Sequence, residues 1–101
     1  MPRLPHTSKQ AAQLFAAMLE RADAWQHGYA LMQQTGLASG SLYPLLIRLA
    51  DDGYLDLRSQ EQDSGPARRE YRLTPAGRSL AHERLARFAA RTGVSLTGAE
   101  R

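Results

Sequence analysis

The stretch "SGSLYPLLIRLADDGYL", residues 39–55, decides the fold. Leu42, Leu45, Leu46, Leu49 and Ala50 recur at helical spacing, so the segment is an amphipathic helix, and Gly53 ends it. Ser39 suits the N-cap. Pro44 falls inside the first turns, where its missing N–H frees one carbonyl and bends or tightens the helix start, so the start is expected between Ser39 and Leu42. The face turned away from the leucines is unusual. An ordinary surface helix favours lysine and glutamate there. This one carries Ser41, Pro44 and Arg48 on one outward strip, with Tyr43 and Ile47 flanking it and Leu42, Leu46 and Leu49 pointing inward. Serine and arginine hydrogen-bond base edges or phosphates, and a small-residue helix N-terminus approaches phosphate closely. The competing reading is a solvated face with incidental polar residues. Asp51 and Asp52 at the far end would repel a phosphate backbone, which makes the N-terminal half the inserted half.

Upstream, Thr7 or Ser8 caps a first helix whose Ala11, Leu14, Phe15, Met18, Leu19 and Ala22 keep one face. The pattern lapses from Asp23 to Gly28. A short second helix then starts near Tyr29 and stops near Gly36, a residue suited to the left-handed position after a helix. Downstream of Gly53 the apolar period falls from about 3.6 to about 2. Leu55 and Leu57, then Tyr71 and Leu73, alternate with charged residues, and the polar "QEQDSGPAR" between them reads as the long, mobile tip of a hairpin. Thr74 as N-cap and Pro75 as first helical residue open a last helix that runs to about Arg91, with Gly93 closing it.

This order predicts a mainly α fold with a small β wing. It is a winged helix-turn-helix of three N-terminal helices, a two-stranded antiparallel hairpin and a C-terminal helix. The expected divisions are 1–74 for the DNA-binding domain, 75–92 for the C-terminal helix and 93–101 for a disordered tail.

Three motifs in order, "HGYAL" (27–31), "SGSLYPLLIRLADDGYL" (39–55) and "GPARREYRLTPAGR" (65–78), resemble the PadR family of winged-helix transcriptional regulators over most of the chain. The resemblance implies a bacterial homodimeric regulator, usually a repressor, that binds a roughly palindromic operator on double-stranded DNA and releases it on a signal. By motif match, Ser39, Gly40, Ser41, Tyr43 and Pro44 would form the DNA-facing start of the recognition helix, with Arg48 further along it. Arg68 and Arg69 would belong to a wing reaching phosphate or minor groove. The family more often has threonine where Ser41 stands, which keeps the hydroxyl and removes a methyl able to touch thymine. A single C-terminal helix matches the short form of the family. In that helix Ala81, Leu85 and Phe88 make one stripe, and Arg84, Arg87 and Arg91 an adjacent one, read as a solvated rim. The apolar stripe reads as a dimer face packing on Leu14, Phe15 and Met18 of a partner's first helix; a helix folded back on its own core has the same pattern.

Composition sets the remaining bounds. At 101 residues and 43% hydrophobic the chain is one domain with a modest core. With no cysteine, a disulfide or thiolate metal site is excluded. No apolar run reaches the roughly 18 residues of a membrane span and the N-terminus lacks a signal-peptide core, so a soluble cytoplasmic protein without membrane contact is expected. A net charge of +3, with Lys9 the only lysine among 13 basic residues, fits a polyanionic partner without requiring one. His6, His27 and His82 have no companions at metal-ligand spacing, no cofactor is implied, and no catalytic constellation stands out, so an enzyme is not expected. Trp25 can line a pocket for a small-molecule effector with Phe15 and Met18, or plug the junction of the first two helices. The alternative to a DNA-reading function is a winged-helix protein-interaction module, since fold alone does not fix function.

Overall fold

A computed structural model describes residues 7–94. Its order is α1 (Lys9–Glu20), β1 (Gln26–His27), α2 (Gly28–Thr35), α3 (Ser39–Asp51), β2 (Leu55–Gln60), β3 (Arg68–Leu73) and α4 (Pro75–Thr92). The tail expected over 93–101 lies, from residue 95 on, outside the described residues, as does His6.

Local chemistry accounts for the boundaries. The Ser8 hydroxyl accepts from the Ala11 N–H at 3.0 Å and opens α1. Thr74 does the same for α4 through the Gly77 N–H at 2.9 Å, with Pro75 as the first helical residue. Gly36 and Gly93 close α2 and α4 at φ of 75° and 77°, the left-handed region where a Cβ is costly. One cap differs from expectation. Ala38, not Ser39, is the N-cap of α3 and no side chain caps the helix, so Ser39 is its first residue. Another is unexpected: the His27 ring caps α2, Nδ1 accepting from the Ala30 N–H at 3.3 Å.

The sheet has three strands in the order β1-β3-β2, not the two strands of a simple hairpin. β1 pairs antiparallel with β3, Gln26 opposite Tyr71 and His27 opposite Glu70. β2 pairs on the other side from Leu55 opposite Leu73 to Gln60 opposite Arg68. The ladder thus extends past the apolar alternation, and the connecting tip shortens to residues 61–67. Gln62 ties that tip together, accepting from Arg68 at 3.1 Å and donating to the Pro66 carbonyl.

α1 serves two packed regions at once. Leu14 and Met18 join Leu31, Leu42, Leu46, Leu55, Tyr71 and Leu73 in the main core, which fixes α3 on α1, α2 and the sheet. Ala12, Phe15 and Ala16 pack with Ala81, Leu85 and Phe88 of α4, the alanines letting the two helices approach closely. The residues assigned to a dimer face, Leu14, Phe15, Met18, Ala81, Leu85 and Phe88, are therefore all buried within one protomer. A second copy packing on α1 and α4 would meet a face already covered within the protomer. The amphipathic pattern was read correctly as burial, and within one protomer α1 and α4 already satisfy it.

Two more assignments change. Phe15 and Met18 lie in separate clusters, and Trp25 is with neither: its ring sits between Arg58 and Arg72, with guanidinium carbons 4.4 and 4.3 Å from the ring centroid. The three do not form a pocket, and Trp25 does not plug a helix junction. It is held by the sheet, where Arg58 also pairs with Glu70 at 2.7 Å and Arg72 with Asp56 at 3.5 Å. The arginine stripe of α4 is likewise not a uniform rim. Arg84 reaches the Thr7 hydroxyl and Arg91 the Thr7 carbonyl, fastening the described start of the chain to α4, while Arg87 pairs with Glu83.

Candidate nucleic-acid interface

The outward surface of α3 follows from which residues its core takes. Leu42 and Leu46 are fully buried and Leu45 and Leu49 partly so, which leaves Gly40, Pro44, Ile47 and Asp51 along the middle of the opposite side. Ser39, Gly40, Tyr43 and Pro44 are exposed. Ser41 and Arg48 form the border toward α1 and α4. Ser41 is half-buried with its hydroxyl 3.4 Å from the Gln10 amide nitrogen, and Arg48 is exposed on the rim of a groove reaching α4. Ser41, Pro44 and Arg48 thus do not share the central strip, as helical spacing suggested. Ile47, at 52% exposure, occupies it instead.

Backbone chemistry at the helix start is permissive. Ser41 and Leu42 both donate to the Ala38 carbonyl, at 3.0 and 2.9 Å, and no side chain takes the N–H groups of Ser39 and Gly40. Pro44 has no N–H to offer the carbonyl of Gly40 four residues back. The first turn therefore presents donors and an acceptor with no bulky side chain at Gly40, where an added Cβ would find no heavy atom within 4 Å.

Tyr43 forms the border toward the wing. Its ring lies over Gly28 so closely that a Cβ at that buried glycine would overlap it. Tyr43 also lies within electrostatic reach of Tyr71 of β3, whose phenol in turn feels the Arg69 guanidinium. Burial pushes Tyr71 above the ordinary tyrosine range; the Arg69 charge opposes that shift and Tyr43 adds to it. Of the two wing arginines, Arg69 thus interacts with a buried phenol. The other, Arg68, is steadied by Gln62. Between Tyr43 and these arginines runs a cleft of about 490 Å³, also lined by His27, Tyr29 and Pro66.

Sequence reasoning missed Tyr29 and His27 in this cleft. Tyr29, 62% exposed, was read only as the start of α2. The signal for it was the glycine before it, since "HG" marks a helix start and puts the next side chain at a solvent-facing first turn. Among the described residues no group of three His, Asp or Glu side chains is placed to hold a metal, and no helix is long and apolar enough to cross a membrane.

Residues 17–83 match the model of the transcriptional regulator PadR-like family. Over 67 residues the chain is 43% identical to transcriptional regulator Rv3488 of Mycobacterium tuberculosis, covering 61% of this chain and 62% of that relative, so the match spans less than two thirds of its length. A PadR-like transcription factor from Bacteroides fragilis superposes with a TM-score of 0.67 at 27% identity, covering 84% of this chain and 87% of that one. Bacillus subtilis PadR, solved in complex with operator DNA, superposes with a TM-score of 0.63 at 19% identity, covering 75% of this chain and 47% of that one. At that identity the likeness concerns the fold.

Proposed function

The chain belongs to the PadR-like family, whose members are transcription regulators and not enzymes, and on that premise we propose that it is a homodimeric repressor acting in the cytoplasm on a palindromic operator. The observation that carries the reading is an exposed α3 start with no side-chain cap, followed within its first turns by Tyr43, which shares one cleft with Arg68 and Arg69. In this reading Ser39, Gly40 and Pro44 enter the major groove. Ser41 and Arg48 contact the border nearer α1, and Tyr43 holds the angle between helix and wing. Arg68 and Arg69 neutralise phosphate or enter the minor groove. With the apolar faces of α1 and α4 consumed internally, the exposed side of α4, including His82, Ala86 and Ala90, is what remains there for a second copy. That operator DNA is held by Bacillus subtilis PadR on the same fold supports the mode of docking.

The test is selection of binding sites from a random DNA pool by the full chain, followed by anisotropy titrations at two salt concentrations. The expected product is a palindrome whose half-sites lie about 34 Å apart, one turn of the duplex. Arg48→Ala should relax base preference at one position per half-site, whereas Arg68→Ala with Arg69→Ala should weaken all sequences alike and flatten the salt dependence. A folded protein that enriches no site at either salt concentration overturns the reading in favour of a module that recruits protein.

A further inference from the structure

The centre line of the exposed side of α3 differs in chemistry from its borders. Gly40, Pro44 and Ile47 follow one another there, all exposed, and none has a side-chain donor or acceptor. Ser41 and Arg48 stand on one border and Tyr43 on the other. We propose that Ile47 is the residue of α3 that reads a thymine, by packing on its C5 methyl in the major groove. The assignment rests on the DNA-binding reading and adds to it the class of base recognised.

Ile47 is 52% exposed and belongs to neither packed cluster, so folding leaves about half of its apolar surface in water. At such a helix position alanine or lysine has the higher propensity, because a β-branched side chain loses χ1 freedom against the preceding turn. The same stiffness suits a contact, since a side chain already confined at χ1 has little freedom left to lose when it is covered. One exposed apolar residue is ordinary. Here Pro44 precedes it on the same line, and the line is flanked by cations: Arg48 on one side, and Arg68 and Arg69 across the Tyr43 cleft on the other. A polyanion with an apolar group between its phosphates meets both the apolar line and its charged flanks; an apolar protein surface meets only the first. In the major groove, base pairs differ in their donors, their acceptors and the C5 methyl of thymine, and only the methyl is read without a hydrogen bond. Gly40 to Ile47 spans about 10 Å of helix rise, or about three base-pair steps. Asp51, four residues further on and exposed, closes the line with a carboxylate that phosphate repels, so Ile47 is its last residue to face bases.

Operator selected by the full chain is resynthesised with deoxyuridine in place of each thymidine in turn, which removes the C5 methyl and keeps every donor and acceptor. One position per half-site should respond, with affinity falling about fourfold for one half-site and about fifteenfold for both. Ile47→Ala should lose affinity for the unmodified operator and become indifferent to uracil at that position alone. Its salt dependence should stay that of the wild type, because no charge is removed. Ile47→Val, one methylene smaller, should show an intermediate sensitivity, and if Ile47→Ala folds poorly the uracil scan with Ile47→Val still decides. Absence of any uracil-sensitive position, or an Ile47→Ala protein as sensitive to uracil as the wild type, overturns the proposal. So does a change of oligomeric state on Ile47→Ala in light scattering, which would make the line a contact between copies. A folded chain that selects no operator overturns the DNA reading and this assignment with it; a selected operator bound without methyl dependence overturns the assignment alone.

Discussion

Replacing Gly40 by alanine separates what the helix start does for folding from what it does for DNA. Gly40 is the second residue of α3, exposed, and outside the set of glycines with positive φ; a Cβ built on it meets nothing within 4 Å. For the free protein the methyl therefore only restricts the unfolded chain and improves helix propensity, a gain of about 0.5–1 kcal/mol. For a domain of this size that raises Tm by about 2–8 °C. In a complex the same methyl stands where the helix backbone would approach the duplex. Overpacking an interface costs about 1–3 kcal/mol, which is about five- to 150-fold in operator affinity. Thermal melts give the first number and anisotropy titrations on the selected operator the second. Gly36→Ala is the control: φ of 75° makes it destabilising, with no direct effect on DNA. A Gly40→Ala protein with higher Tm and unaltered affinity would refute the placement of the helix N-terminus against DNA. A lower Tm would mean that the space seen beside Gly40 is not open.

Gly77→Ala should be the harshest glycine substitution in folding terms, because its Cβ would overlap the backbone carbonyl of Tyr54 and crowd Leu73; overpacking of about 1–3 kcal/mol is expected, read as a lower urea midpoint. Gln26→Met should stabilise by about 1 kcal/mol or more, since the buried Gln26 amide has no partner on either atom among the described residues and methionine keeps its length; a lower urea midpoint would show that the amide is satisfied. Tyr71 has a raised folded pKa through burial, so its contribution to stability is complete below about pH 10 and is lost as pH rises through the raised value. Tyr71→Phe should accordingly flatten the alkaline limb of stability against pH, and an unchanged limb would exclude Tyr71 as its source. Trp25→Leu removes the aromatic face shared by Arg58 and Arg72 and should cost about 1–2 kcal/mol by chemical denaturation, a loss that double-mutant cycles with each arginine should divide between them.

The long elements were legible because each combines a sustained period with a chemically marked end: Ser8 and Thr74 as caps, Pro75 as first residue, Gly36 and Gly93 as stops. β1 was not, and had no means of being so. Two residues carry no period, and Gln26–His27 becomes a strand only because the turn after α1 lays it beside β3. The Ser39 cap failed for a related reason. Ala38 and Ser39 differ by one residue, and the backbone sets the helix start from Ala38 because its carbonyl accepts from Leu42, not because a hydroxyl is available. The dimer assignment met a different limit. Periodicity states that Ala81, Leu85 and Phe88 are covered, and it is silent on whether Phe15 of the same chain or of another covers them. Trp25 shows the same limit for a single residue, since Arg58 and Arg72 are 33 and 47 positions further along and meet on it only through β-sheet register.

The borders of α3 follow from the same distinction. Spacing alone separates the inward leucines of α3 from everything else, but it does not say which neighbour each border meets. Tyr43 and Arg48 are both outward by spacing, yet tertiary structure sends them to opposite flanks, one to the wing and one to α4. The Tyr43 side is specified by complementary volume: Gly28 lacks the atom that would displace the ring, and Tyr71 lies beside the phenol. Because Tyr71 also interacts with Arg69, a change of volume at Gly28 that moves Tyr43 should reach the wing arginine without any substitution among the residues proposed to touch DNA. The seat of Tyr43 is therefore a packing property, set by the glycine beneath its ring. A larger residue at position 28 should change which operator is preferred, while the charge available to bind it stays the same.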